Sequence, residues 1–564
     1  VPPVGGRAIA AASSGASPLI LRPAPAHRRG LLRVSASAAR GCPLSSAFRA
    51  RKATSHVPSF LLFRRDRPRF SAALGLDDDR GRLVTAVGSG PATAASPPEL
   101  PPRAASSSRG WFTALLRRLH FFAGVLVGPF ILVAALSGAL YAITPTLESA
   151  LYAHELTAAS EAPAVPLAQQ VAAAEAYVGT GATPVAVRPA PQAGATTRVM
   201  FSDETLPEST TRAVFVDPAT TEIRGDLPAY GTSGALPLRH WISDLHRSLH
   251  LGDVGRWYSE LAASWLGIVA LAGLGLWIGR FVRSRRGRRD LLRPNRRHTG
   301  YRRVSGWHSA LGIWVVVGAL FLSATGITWS TFAGANVTEL RALVGEGTPA
   351  LTTTLDGSTA TAGEHSHYGG GHGSGGQTSP PSTFDEVWAV ARDVNVNSGD
   401  LEIRPPAAAG KAWVVQEIHR SFPTEVDAVA IDGATLQVTD RVDFADYPLL
   451  AKLSRWGVDL HMGTMFGLAN QLVLFALAIG ITALVVLGYA MWWKRRPTGR
   501  IARAPERGVL RHAPWWGIGA VLVAAVAIGL VLPLVGYTLA AFVVIDVILG
   551  WRSRRAARSV SRGR

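Results

Sequence analysis

From residue 119 onward the chain alternates between long apolar runs and short polar or basic stretches. About 20 apolar residues carry a helix across a hydrocarbon core of about 30 Å. Runs of that kind lie at 119–143 (within a segment 109–143), 258–280, 307–330 and 466–493. The last run, 515–550, is too long for one crossing and holds Pro533 near its middle, so it divides into short spans at 515–532 and 534–550. Two segments follow a different rhythm. In 144–257 a helical stretch, VPLAQQVAAAEAYVG, precedes alternating strand patterns in TPVAVRP, TTRVMFS and RAVFVDPATTEIRG. In 331–465 the same order recurs, with STFDEVWAVARDV and then LEIRPP, KAWVVQEI and DAVAIDGATLQVTDRV. The pattern predicts a mainly α fold: a polytopic membrane helix bundle of about six spans, with an internal repeat and two small α+β domains outside the membrane.

Charge sets the orientation. The formal net charge is +20, which by itself would suit nucleic acid. The arginines instead crowd into short loops beside the apolar runs: 281–306 holds ten Arg against one Asp, and 494–514 and the tail 551–564 are also basic. Positive loops stay in the cytoplasm, while 144–257 and 331–465 carry more acids than bases. Six spans with both termini inside satisfy every loop, and no nucleic-acid partner is expected. Residues 1–108 are rich in Ala, Arg, Ser and Pro without periodicity, which reads as a disordered basic tail or an over-extended start. The single cysteine, Cys42, excludes an internal disulfide, a thiolate zinc site and an iron–sulfur cluster. A glycine-rich loop, EHSHYGGGHGSGG, carries His365, His367 and His372 and reads as a linker with weak chelating capacity.

The repeat gives the histidines meaning. His120 is followed by Gly124 and Gly138, and His308 by Gly312 and Gly326 at the same offsets, with Ser137 and Thr325 before the later glycines. Leu249-His250-Leu251-Gly252 precedes span two as Leu460-His461-Met462-Gly463 precedes span four. The unit of span, outer domain, histidine and span therefore occurs twice. His120 with His308, and His250 with His461, form two depth-matched pairs, one near each membrane surface. His246, one turn before His250, is the alternative to it. Two imidazoles from two helices fill both axial positions of a haem iron, and Gly124 and Gly312, on the histidine face, leave room for a flat porphyrin. Two haems b are expected. The nearest carboxylates, Asp244, Asp253 and Asp459, do not complete a zinc or non-haem iron shell.

The stretches LRRLHFFAGVLVGPFILVAALSGALY, LHRSLHLGDVGRWYSELAASWLGIVALAGLGLWIGR and VDLHMGTMFGLANQLVLFALAIGITALVVLGYAMWWKRRP resemble the PepSY-associated transmembrane proteins, over about residues 110 to 550. The outer domains are similar to PepSY modules. The resemblance implies a protein of the bacterial cytoplasmic membrane linked to iron uptake, with haem ligation by His120, His308, His250 and His461, and reduction of a ferric siderophore outside the membrane. No flavin or nicotinamide signature is visible, so a quinol or a redox partner protein is the expected donor. Arg247, Arg256, Trp257, Arg455 and Trp456 are the expected contacts for the ferric chelate, since cations and indole rings suit anionic or aromatic chelators. The rival readings are a haem-free protein whose PepSY-like domains bind peptide or restrain a protease, and a siderophore transport subunit.

Overall fold

The computed structural model describes residues 110–179, 181–284, 291–355, 380–495, 505 and 508–562. The expectations for the tail 1–108, for Cys42 and for His365, His367 and His372 lie outside them.

Helices α1 (Trp111–Leu126) and α2 (Gly128–Ala142) make the first apolar run, α7 (Gly252–Arg283) the second, α8 (Gly300–Thr328) the third and α12 (Gly467–Lys494) the fourth. The C-terminal run forms a hairpin of α13 (Trp515–Val531) and α14 (Pro533–Arg562). Among the described residues four helices are long and apolar enough to span a membrane, α14 through its Pro533–Arg552 part, and α1 with α2 makes a fifth if the bent pair is one span. The sixth expected span, α13, is apolar but has only 17 residues, or about 25 Å of helix against a core of about 30 Å.

The first run was expected to be continuous, and it bends by 62° between α1 and α2. Pro129 explains this. It has no N–H to give to the carbonyl four residues earlier, that of Val125. Tyr489 of α12 donates its hydroxyl to that carbonyl instead, at 2.6 Å. The ring also closes on Gly128, where a Cβ would meet it at 3.2 Å. Span three has Val317 at the matching place and runs unbroken through α8.

Between the spans lie α3 (Thr144–Leu151), α4 (Ala153–Leu156), α5 (Leu167–Val178), strands β1 (Pro184–Arg188), β2 (Thr197–Phe201), β3 (Thr210–Val216) and β4 (Ile223–Tyr230), and α6 (Pro237–Ser248). The second intervening segment gives α9 (Phe332–Leu343), α10 (Ser382–Asp393), β5 (Leu401–Arg404), β6 (Trp413–Glu417), β7 (Ala428–Ile431), β8 (Val438–Val442) and α11 (Leu449–His461). In each segment the expected helix, α5 or α10, is followed by four strands, the third expected strand run forming a hairpin of two. The two do not make separate sheets. All eight strands form one sheet in the order β4-β3-β2-β1-β5-β6-β7-β8. It closes at its centre by antiparallel pairing of β1 with β5, Val187 opposite Ile403. One apolar core runs beneath both halves, with Val171, Val187, Val199, Phe384, Ile403 and Trp413 fully or nearly fully buried. Two polar links cross the junction. Asp385 of α10 accepts the N–H groups of Leu167 and Ala168 at 2.8 Å each, capping α5. Arg188 of β1 grips Glu402 of β5 through Nε at 2.8 Å and Nη2 at 2.6 Å.

The hairpin α13–α14 is joined to α1 by Arg118, whose Nη2 lies 2.6 Å from Asp546. That pair, flanked by Phe122 and Phe542 beside the guanidinium, places the C-terminal helices against span one.

Candidate functional site

His120 of α1 and His308 of α8 face one another, with ring centres 6.1 Å apart and planes at 74°. Each is held by the backbone of a neighbouring helix. His120 Nδ1 lies 2.9 Å from the Val269 carbonyl of α7, and His308 Nδ1 lies 3.1 Å from the Leu484 carbonyl of α12. A carbonyl only accepts, so Nδ1 carries the proton, and the lone pair of the neutral imidazole is on Nε2. Each approach passes a glycine one turn further along, and that of His120 requires it. A Cβ at Gly273 would stand 2.9 Å from His120 Cε1, and one at Gly488 would stand 3.9 Å from His308 Cε1.

Beside this pair is a cavity of about 590 Å³, within the range of small-molecule and cofactor sites. Gly124, Gly273, Gly312 and Gly488 line it. A Cβ at Gly124 would meet nothing within 4 Å, and one at Gly312 would meet only Leu484, at 3.8 Å. The two glycines chosen from the sequence thus open onto empty space beside the histidines. Arg117, Arg280, Arg283 and Arg495 also line the cavity.

The second pair is His246 of α6 with His461 of α11. His246 Nδ1 lies 3.0 Å from Ser137 Oγ, and His461 Nδ1 lies 2.6 Å from Thr325 Oγ1. Both hydroxyls donate to their own helix: Ser137 to the Val133 carbonyl at 2.8 Å, and Thr325 to the Phe321 carbonyl at 2.9 Å. With their protons so placed they accept from Nδ1–H, and Nε2 is again the free nitrogen. The small hydroxyls that precede Gly138 and Gly326 are therefore tautomer-setting groups. Gly138 admits His246, since a Cβ there would lie 3.0 Å from Cε1, whereas Gly326 admits Ala263 of α7. Burial pushes the His246 pKa down to about 4. Burial, and then the proximity of His246, pushes that of His461 down to about 3. Both rings are neutral near pH 7.

His250 does not join this pair. It follows the end of α6 in a left-handed turn, φ 57°, is exposed, and lies against Trp241 with ring centres 4.9 Å apart. The Leu-His-x-Gly match that singled it out is out of register with the fold. The repeat that the helices follow is Trp241 with Asp244-Leu245-His246, against Trp456 with Asp459-Leu460-His461. His246 also precedes Gly273 by the same number of residues as His461 precedes Gly488. That spacing was the available signal, and it also identifies Gly273 and Gly488, which sequence reasoning passed over.

The residues expected to contact a chelate are largely engaged within the protein. Arg247 bonds Asp244 at 2.7 Å and Tyr230 Oη at 2.9 Å. Arg455 bonds Asp459 at 2.9 Å, and Asp459, fully buried, also receives Arg420 at 3.4 Å. Arg256 reaches Thr331 Oγ1 at 3.1 Å. Trp257 is exposed, and Trp456 is turned inward against Phe444 with its indole N–H buried and without an acceptor among the described residues.

Among the described residues no group of three or more His, Cys, Asp or Glu side chains converges on a metal position. What the bundle offers is two pairs of imidazoles, each ring oriented through Nδ1 and free at Nε2. No curated protein matches the chain. The family model of the PepSY-associated TM region matches residues 117–495, an interval that contains both histidine pairs and the whole of the shared sheet, and the chain belongs to that family of multi-pass membrane proteins.

Proposed function

We propose that the protein is a di-haem b-type electron-transfer protein of the bacterial cytoplasmic membrane that reduces a ferric chelate, such as a ferric siderophore, on the side of the sheet. The observation that carries this reading is the pairing of His120 with His308. Two imidazoles sharing one iron, each nitrogen about 2 Å from the metal, have ring centres about 6 Å apart, and these lie at 6.1 Å. The donor set suits the group, since two neutral nitrogens and no third ligand favour electron transfer over chemistry at an open metal position. The glycine-walled cavity beside the pair suits a flat ligand, and its arginines suit carboxylates at the rim. Bound haem would supply a reversible one-electron couple at each pair.

The chain's own residues do the positioning. Val269 and Leu484 fix the ring orientation of one pair, and Ser137 and Thr325 that of the other. The apolar bundle excludes water and small ions between the two. One electron reduces one ferric ion, so a quinol donor, which gives up two electrons and two protons, accounts for two. Reduction frees the iron because Fe(II) binds hard oxygen ligands more weakly than Fe(III). The basic ends of the spans support a cytoplasmic position for that end of the bundle.

Purified protein from haem-replete cells should contain two haems per chain by pyridine haemochrome assay, with low-spin spectra that shift on dithionite reduction. Colourless protein from such cells would remove the reading.

A further inference from the structure

Three guanidiniums gather between the sheet and helices α3 and α6: Arg188, Arg198 and Arg239. Arg188 is matched by Glu402. Arg198 and Arg239 are left with Glu148, whose Oε2 accepts the Leu236 N–H at 2.8 Å and whose Oε1 stands 3.9 Å from Arg239 Nη1. The next acid, Asp400, is held by His419 at 2.9 Å. Arg198 reaches the Gly234 carbonyl at 3.4 Å and lies over the Phe215 ring. The three guanidiniums thus share two buried carboxylates, Glu402 and Glu148, with the more exposed Asp400 acting on Arg198.

The shortage of acceptors is sharpest at Arg239. Its side chain is 9% exposed, and its Nε and Nη2 are buried without a hydrogen-bond partner among the described residues. Those two atoms form one edge of the guanidinium. Arg188 uses the same edge to grip Glu402, and Arg212 uses it to grip Asp226, with Nε at 2.8 Å and Nη2 at 2.6 Å in both. The guanidinium of Arg239 faces Glu148 at long range and hydrogen-bonds the Tyr141 side chain, but its Nε–Nη2 edge meets no acceptor among the described residues, and buried donors left unmatched are costly. Its position says which carboxylate. Arg239 lies seven residues before His246 on α6, two turns away on the same face and about 10 Å along the axis. Its guanidinium lies 5.8 Å from the centre of the Tyr141 ring, which stacks on His246 at 6.4 Å and 16°.

We propose that the Nε–Nη2 edge of Arg239 binds a carboxylate of the ligand held between His246 and His461, a propionate if that ligand is haem. The inference rests on the haem reading. Arg239 is a positioning residue, fixing the rotation of the macrocycle about the axis between the two imidazoles. A bidentate Arg–carboxylate contact also has the geometric specificity to select one edge of the ring.

The test uses the full chain carrying His120→Ala, so that only the His246–His461 site is loaded. The haem-depleted protein is titrated with haem b and with its dimethyl ester, following the Soret band. Haem b should bind roughly tenfold to a hundredfold more tightly than the ester, as one charge-assisted hydrogen-bond pair allows. Arg239→Gln should remove that preference, while Arg239→Lys, which keeps the charge, should restore part of it. The midpoint potential of the remaining haem should fall in Arg239→Gln, because a positive charge near the iron is lost. A full ester penalty persisting in Arg239→Gln overturns the proposal. If Arg239→Gln does not assemble, equal binding of haem b and the ester by the Arg239 protein overturns it on its own. Equal binding together with a raised KM for ferric citrate in Arg239→Gln would assign the guanidinium to a soluble carboxylate, and overturns it too. A protein with both histidine pairs intact that takes up neither form defeats the haem reading itself.

Discussion

Gly273 and Gly488 occupy matching places on α7 and α12, and replacing each by alanine should give unequal results. A Cβ at 273 would lie 2.9 Å from His120 Cε1 and 3.3 Å from Nδ1, whereas one at 488 would lie 3.9 Å from His308 Cε1. Carbon atoms rest about 3.5–4.0 Å apart, so His120 must retreat by about 0.6 Å or more. Its Nδ1 is 2.9 Å from the Val269 carbonyl, and that retreat stretches the contact toward about 3.5 Å, where little hydrogen bond remains. The loss is about 1 kcal/mol for the bond, and loss of an orienting partner weakens metal affinity by about 10–100-fold. Helix propensity works in the opposite sense, favouring alanine by about 0.8–1.0 kcal/mol at both positions, so any damage from Gly273→Ala is steric. The haem-to-protein ratio of purified variants should drop from two toward one in Gly273→Ala and stay at two in Gly488→Ala. Equal losses, or full haem content in both, would refute the reasoning.

Other consequences are as direct. His246→Ala should lose one haem and His250→Ala none; the reverse would return the ligand to the turn. Glu402→Ala strands Arg188 beneath the sheet and should cost about 3–5 kcal/mol, while replacing both by Met should recover most of it; a thermal melt with both variants unchanged would contradict this. Asp217 is fully buried. Burial pushes its pKa up, but the N–H groups of Ala159, Ser160, Ala219 and Thr220 outweigh that, and it lies below the ordinary 3.8. A depressed carboxyl pKa adds stability that is present above 3.8 and lost as pH falls through the folded value. Asp217→Asn should therefore lower the melting temperature at pH 7 and flatten its dependence on pH below 4, and an unflattened acid limb would count against it.

Much of this was readable from residue order, because periodicity and repetition are local properties. The apolar runs became α7, α8 and α12 within a few residues, and His120 with Gly124 declared its pairing with His308 and Gly312. What escaped depended on contacts distant in sequence. Pro129 is visible in the first run, but the bend needs Tyr489 from the other end of the bundle to satisfy Val125. His246, not His250, lies beside His461 because α6 ends at Ser248 and the next two residues, Leu249 and His250, turn left-handed. All the strands of the sheet lie in runs recognisable by alternation, though β3 with β4 and β7 with β8 each read as one run. Nothing in the alternation of β1 or β5 says that the edge of one is completed by the other.

That central pairing also bears on how the chain is made. Val187 and Ile403 are far apart in sequence, and two membrane-crossing helices, α7 and α8, are synthesised between them. Until those have been inserted, the first four strands wait with the β1 edge unpaired, open to other chains. Contacts of such sequence separation form slowly. Assembly thus has an obligatory late step, and the interval before it is when a chaperone at the membrane surface would matter most. A chain ending before Leu401 would keep its first strands yet present an open edge for good, so a single repeat of this protein would be prone to self-association.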